Sequence, residues 1–260
     1  MTRPAADGSS SSSATADTFK YFEVASRCPG RLDVRWRLEE HPFNDPWVIE
    51  NPILFPMVDQ LLGGKGVLGA LIERKGQKMG GYGNGGGAVL LYAALIFSFP
   101  DSSDQPWHTD GASLFPEDRS MLDLPPYAVN VFIPLEDISS ELGPTEFLPS
   151  SHKSSNAETI DENVFEWAVH NERVAGGGAE ANAGEQDRLF LEEEEEWMER
   201  NTVVAPALRK GDALIYDHRA CHRGTRNLSM GTTRPMLHLL YTRPWFKEHI
   251  NFGTERLFPS

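Results

Sequence analysis

The segment "PYAVNVFIPLED" alternates Tyr127, Val129, Val131 and Ile133 against Ala128, Asn130 and Phe132, a period of two that predicts a strand with two unlike faces. Upstream, "AVLLYAALIFSFP" (88–100) is apolar almost throughout, which predicts a long buried strand that Pro100 ends. Shorter runs of strand character recur in "VLGALIE" (67–73), "GPTEFLP" (143–149), "DALIYD" (212–217) and "PMLHLLYTR" (235–243). A Gly-rich stretch, "MGGYGNGGG" (79–87), predicts a hairpin-like loop before the long strand. Helical spacing is confined to a few places. "NPILFPMVDQLLGG" (51–64) reads as a helix stopped by Gly63 and Gly64, and "TIDENVFEWAVHNE" (159–172) as a short one with Thr159 and Glu162 as a capping box. Short strands joined by Pro- and Gly-rich turns, rather than alternating strands and helices, predict an antiparallel sandwich or barrel.

The pattern breaks at both flanks of this region. Residues 1–17, "MTRPAADGSSSSSATAD", carry no large apolar side chain, so ordering them would cost conformational entropy with little burial in return; a disordered arm is expected there, with one domain over 18–260. Residues 153–203 read as an acidic, partly flexible insertion between core strands. Within it, Glu192 to Glu196 predict the solvated face of a helix that docks through Phe190 and Trp197.

Composition narrows the function classes. The 260-residue chain has a formal charge of −14, which repels nucleic acid and anionic membranes, so small-molecule partners are expected and neither nucleic acid nor membrane. Only Cys28 and Cys221 are present, too few for a disulfide framework and in keeping with a reducing compartment. With no apolar leader or membrane-length run, a soluble cytoplasmic protein is expected, and an organelle-targeting role for the Ser-rich arm stays open.

Two motifs are dismissed on context. Gly81–Gly86 fits G-x-G-x-x-G, but a strand rather than a helix follows it, and the sequon at Asn227 lacks a secretory context. The chemistry lies elsewhere. "QPWHTDG" (105–111) sets His108 and Asp110 two apart, and "DALIYDHRACHRG" carries His222 just before Gly224, with Arg234 twelve residues further on. Two His and one carboxylate on one face of Fe(II) leave three positions open, enough for a bidentate co-substrate and dioxygen. The same donors also suit zinc.

The blocks "QPWHTDG", "YAVNVFIPLEDISSELGPTEFLPSSHK" and "GDALIYDHRACHRGTRN…RPMLHLLYTRPWF", in this order over roughly residues 92–252, resemble the phytanoyl-CoA dioxygenase (PhyH) family of Fe(II)/2-oxoglutarate oxygenases. The resemblance implies a mainly β, double-stranded β-helix (a jelly-roll, cupin-like barrel) with flanking helices. It implies iron held by His108, Asp110 and His222, and 2-oxoglutarate gripped by Arg234, with Arg243 as the other basic candidate and Asn130 and Thr145 as polar contacts. The implied reaction consumes 2-oxoglutarate and O2 and hydroxylates a C–H bond of a small molecule with release of succinate and CO2. Asp110 argues against halogenation, because halogenating relatives replace the carboxylate with a small residue. His218, His152, His238 and Trp107 read as structural or pocket-lining. A zinc hydrolase and a catalytically silent binding barrel stay open as alternatives.

Overall fold

The computed structural model describes residues 21–64, 87–111, 124–152, 202–247 and 251–257. Among these, eight strands and two short helices form a predominantly antiparallel β structure. The strands are β1 (Val24–Ala25), β2 (Arg31–Arg35), β3 (Val89–Ser98), β4 (Ala128–Pro134), β5 (Thr145–Phe147), β6 (Leu214–Asp217), β7 (His222–Gly224) and β8 (Arg234–Thr242); the helices are α1 (Pro46–Ile49) and α2 (Leu54–Leu61). Six strands make the major sheet in the order β1-β2-β3-β8-β4-β6, and β5 pairs with β7 in a minor one.

The alternation in β4 decides what each face of the major sheet meets. Val129 and Val131 point outward with Ala93, Leu239 and Tyr241, and pack on Ile49, Leu54, Val58 and Leu62 from the helical segment. Fully burying an aliphatic side chain of this kind contributes about 1.5–3 kcal/mol, so this layer is a main source of stability. Phe132 and Met236 point the other way, where they meet Phe147 of the minor sheet and Tyr216. The two sheets therefore face each other, in the manner of the expected jelly roll.

The helices start where their sequence permits. Asp45 accepts from Trp47 N (2.8 Å) with Pro46 in the first turn of α1. Asn51 Oδ1 accepts from Ile53 N and Leu54 N ahead of α2, and Gly63 adopts φ +82° just after it. Arg243 packs against that glycine and donates from Nε to Pro126 O (2.9 Å).

Five strand expectations and one helix expectation coincide with β3, β4, β5, β6, β8 and α2. Two details differ. β7, which carries His222, and β1 with β2 occupy segments in which the hydrophobic pattern predicts no strand. In β2 the outward residues Leu32 and Val34 are apolar while the inward ones are Arg31, Asp33 and Arg35, so its alternation reads as a surface segment although Arg31 and Asp33 are buried. The expected strand at 67–73, the loop at 79–87, the arm at 1–17, the helix at 159–172 and almost all of the insertion at 153–203 lie outside the described residues. No helix among the described residues is long and apolar enough to cross a membrane.

Leu62→Ala, at a fully buried position remote from the inner face, is expected to lower unfolding free energy by about 2–5 kcal/mol in chemical denaturation while leaving metal affinity unchanged.

Candidate metal centre

His108 and His222 are brought together by their own backbones. His108 N donates to His222 O (3.0 Å) and His222 N to His108 O (2.9 Å), a reciprocal pair that joins the loop after β3 to β7. Each ring is then turned the same way. His108 Nδ1 donates to Pro106 O (2.8 Å) and His222 Nδ1 to Ala220 O (2.9 Å), in both cases the carbonyl two residues back. With Nδ1 protonated, each Nε2 carries its lone pair into the space between the rings, which is what a metal requires.

Asp110 completes the set. Oδ1 lies 3.8 Å from His108 Nε2 and Oδ2 3.6 Å from His222 Nε2, and the three donors fall within 4.8 Å of one another. The carboxylate is fixed from behind: Asn130 Nδ2 donates to Oδ2 (2.7 Å), with Tyr216 Oη at 3.3 Å from the same oxygen. That engagement leaves Oδ1 free of a hydrogen bond from either group. Burial by itself would raise the Asp110 pKa, yet His222, His218, His108 and His238 around it outweigh burial and hold it well below the usual carboxylate range. Two anchors fix the loop. Asn251 Nδ2 donates to Asp110 O (3.1 Å), and a Cβ at Gly111 would come within 2.3 Å of the His218 ring. Two imidazoles with Nε2 turned inward and one carboxylate in this arrangement fit a divalent iron with open positions.

A cavity of about 190 Å³ adjoins these ligands. Its walls include Ile96, Phe132 and Thr145, with Arg31 and Asp33 from β2. Arg234 begins β8 on the same face, in register with Ser98, which is in register with Arg31 in turn. Arg234 is 2 % exposed, and its Nε and Nη1 are buried without a hydrogen-bond partner; so is Arg31 Nη1. Burial, followed by the neighbouring charge of Arg31, pushes the Arg234 pKa down to about 9, so the guanidinium is still charged at neutral pH. Unpaired buried cations are costly. The missing partner has the character of an anion, and a dicarboxylic co-substrate would supply it.

The sequence-derived candidates sort as follows. His108, Asp110 and His222 converge, and Thr145 lines the cavity. Asn130 is on the expected face, but its amide is engaged by Asp110 and, through Oδ1, by His238 Nε2 (2.9 Å), so it positions the carboxylate rather than reaching outward. Arg243 lies at the far end of β8 with Pro126. His218 is buried against Tyr127 and is outside the ligand set. Asn227 is fully buried, donating to Ser98 O and Thr232 O, which agrees with a structural reading. Reading the sequence missed Arg31, Asp33 and Asn251. The first two were visible only as polar residues alternating with Leu32 and Val34, and Asn251 had no local signal.

His238 sits between Tyr92 and Phe132, and burial is the main reason its pKa is pushed down to about 3. An unfolded-chain His titrates near about 6.5. As pH falls through the window from about 6.5 to 3, the unfolded chain therefore takes up a proton that the fold refuses, and metal-free protein loses stability progressively. His238→Gln is expected to flatten the slope of melting temperature against pH between about 6.5 and 4; a slope as steep as in the parent protein would assign the dependence to other groups.

Solved structures similar to the chain include AviO1 from Streptomyces viridochromogenes Tue57 (20 % identity, TM-score 0.38, covering 61 % of this chain and 52 % of that one). Others are EctD from S. alaskensis with 2-oxoglutarate and 5-hydroxyectoine (18 %, 0.39, 66 % and 50 %) and HygX from Streptomyces hygroscopicus with nickel, 2-oxoglutarate and hygromycin B (16 %, 0.37, 62 % and 58 %). The chain thus spans little more than half the length of these proteins. Residues 81–236, which contain His108, Asp110, His222 and Arg234, match the family described as phytanoyl-CoA dioxygenase (PhyH), and the chain belongs to that family.

Proposed function

We propose that the protein is an Fe(II)- and 2-oxoglutarate-dependent dioxygenase that hydroxylates a small molecule at a C–H bond, with His108, Asp110 and His222 as iron ligands and Arg234 as the anchor of the 2-oxoglutarate chain. The observation that carries this reading is the coexistence of a three-donor set, on a loop and the minor sheet, with two guanidiniums on the inner face of the major sheet that carry orphaned N–H groups. A zinc hydrolase would have use for the first and none for the second.

Each residue has a definable task. His108 and His222 supply neutral nitrogen donors whose orientation is set by Pro106 O and Ala220 O, so no reorganisation is needed on metal entry. Asn130 and Tyr216 keep Asp110 from rotating, and the carboxylate's anionic state at neutral pH offsets part of the metal charge. Arg234, assisted by Arg31, binds the far carboxylate of 2-oxoglutarate through a planar fork that a Lys could not reproduce. Thr145 offers a hydroxyl from the minor sheet, while Ile96 and Phe132 keep bulk water from the reacting centre. When bound, iron with 2-oxoglutarate and dioxygen supplies the oxidising power for C–H hydroxylation, with succinate and CO2 as co-products.

Anaerobic addition of Fe(II) and 2-oxoglutarate is expected to produce the weak visible charge-transfer band of the chelate only when both are present. His108→Ala should abolish the band. Arg234→Ala should raise the 2-oxoglutarate concentration needed for it by roughly ten- to a hundredfold, the equivalent of losing one charge-assisted hydrogen bond of about 1.5–3 kcal/mol. No band in iron-replete parent protein would refute the reading. In turnover, Asp110→Ala is expected to lose substrate-coupled consumption of 2-oxoglutarate while its circular dichroism spectrum stays native; undiminished coupling would exclude Asp110 as a ligand.

A further inference from the structure

Iron and 2-oxoglutarate leave one polar atom of the cavity unexplained. Asp33, on the inner face of β2, has a side chain only 4 % exposed and lines the cavity together with His108 and His222. Its Oδ2 accepts from Arg27 Nε at 2.7 Å, whereas Oδ1 is buried with no hydrogen-bond partner. Arg27 Nη1 in turn donates to Asn251 Oδ1 (3.1 Å), and Asn251 holds the backbone of Asp110. Asp33 is thus tied by two intermediates to a metal-ligand loop, and its free oxygen is held in place rather than left to swing. A buried carboxylate oxygen without a donor is as unfavourable as the orphaned guanidiniums, but an anionic co-substrate cannot relieve it, since 2-oxoglutarate brings only acceptors.

We infer that Asp33 is a specificity-determining residue whose Oδ1 accepts a hydrogen bond from a neutral hydroxyl group of the substrate. The assignment rests on the oxygenase reading above and deepens it. The choice of hydroxyl over ammonium follows from charge. The two charges of iron are matched by those of 2-oxoglutarate, which leaves Asp33 and Asp110 with Arg27 and Arg31 in the cavity wall and Arg234 beyond Ser98 on the same sheet. The excess is positive, which disfavours a cationic guest among these buried groups. A hydroxyl donates without adding charge. A substrate anchored at Asp33 would lie in the cavity that His108, Asp110 and His222 also line, so the hydrogen bond would also select which carbon is presented to a metal held there.

Asp33→Asn is the informative change. Arg27 needs an acceptor, so the amide oxygen takes the Oδ2 position and the amide N–H₂ turns to the cavity, replacing the acceptor by a donor with little change of shape. The measurement is the anaerobic perturbation of the Fe(II)–2-oxoglutarate band by myo-inositol, methyl glucopyranoside and cyclohexanol, each beside its O-methyl ether, with cyclohexylamine as the charged counterpart. At least one alcohol is expected to shift the band where its ether and the amine do not, and Asp33→Asn should weaken that alcohol roughly tenfold or more without changing half-saturation by 2-oxoglutarate. Asp33→Ser, which keeps an acceptor, should retain more of the alcohol binding and covers the case in which the Asn variant fails to fold. Ethers or the amine acting as well as alcohols, no alcohol acting, or alcohol binding indifferent to Asp33→Asn would each overturn the inference; weakened 2-oxoglutarate binding instead would move Asp33 into the co-substrate subsite and overturn it too. Absence of the band in parent protein is a failure of the oxygenase reading alone. The same panel is then read by calorimetry on metal-free protein, where the same dependence on Asp33 is required.

Discussion

The reciprocal hydrogen bonds between His108 and His222 are the constraint on which the site depends. Neither residue needs a long side-chain excursion to meet the other, because the backbones are already paired and the rings extend from that pair to the same side. Precision of this kind is hard to obtain from loops and natural to a β framework, where spacing is set by the ladder itself. The rings' orientation is then set by carbonyls of their own segments. His108 and His222 therefore inherit their positions from backbone geometry, whereas Asp110 depends on side-chain partners for its pose.

The two faces of β4 divide the labour of the molecule. The outward residues join a wholly apolar layer with α1 and α2, while the inward ones include Asn130, whose amide bridges Asp110 and His238. A fully satisfied buried network of this type stiffens a site, and a half-satisfied one is a liability. Here Asn130 and Tyr216 hold Asp110, and orphaned atoms of Arg31, Asp33 and Arg234 lie on the inner face of the major sheet. The distribution separates what the fold provides for itself from what it leaves for guests.

Much of this was legible in the sequence. The period of two in β4 and the long apolar run of β3 marked the central strands, and the family resemblance of the blocks around His108, Asp110 and His222 pointed to three residues that the fold brings together. What escaped was β2. Pattern reading assumes that the buried face of a strand is the apolar one, and in β2 the assumption is reversed: Leu32 and Val34 face away from the cavity and the charged residues face in. A functional strand can look like a surface strand for that reason. Asn130 illustrates a different limit, since its face could be assigned from alternation but its partners are set by long-range packing.

The position of β2 has a consequence of its own. The central strands β3, β8 and β4 carry the sheet and most of the packing, whereas among the described residues β2 has only the two-residue β1 beyond it. From this strand Asp33 reaches the cavity without belonging to the three-donor set. A lineage could in this way alter the molecule it recognises by rewriting a few letters near a margin of the sheet, while His108, Asp110 and His222, on a loop and the minor sheet, are passed on unaltered.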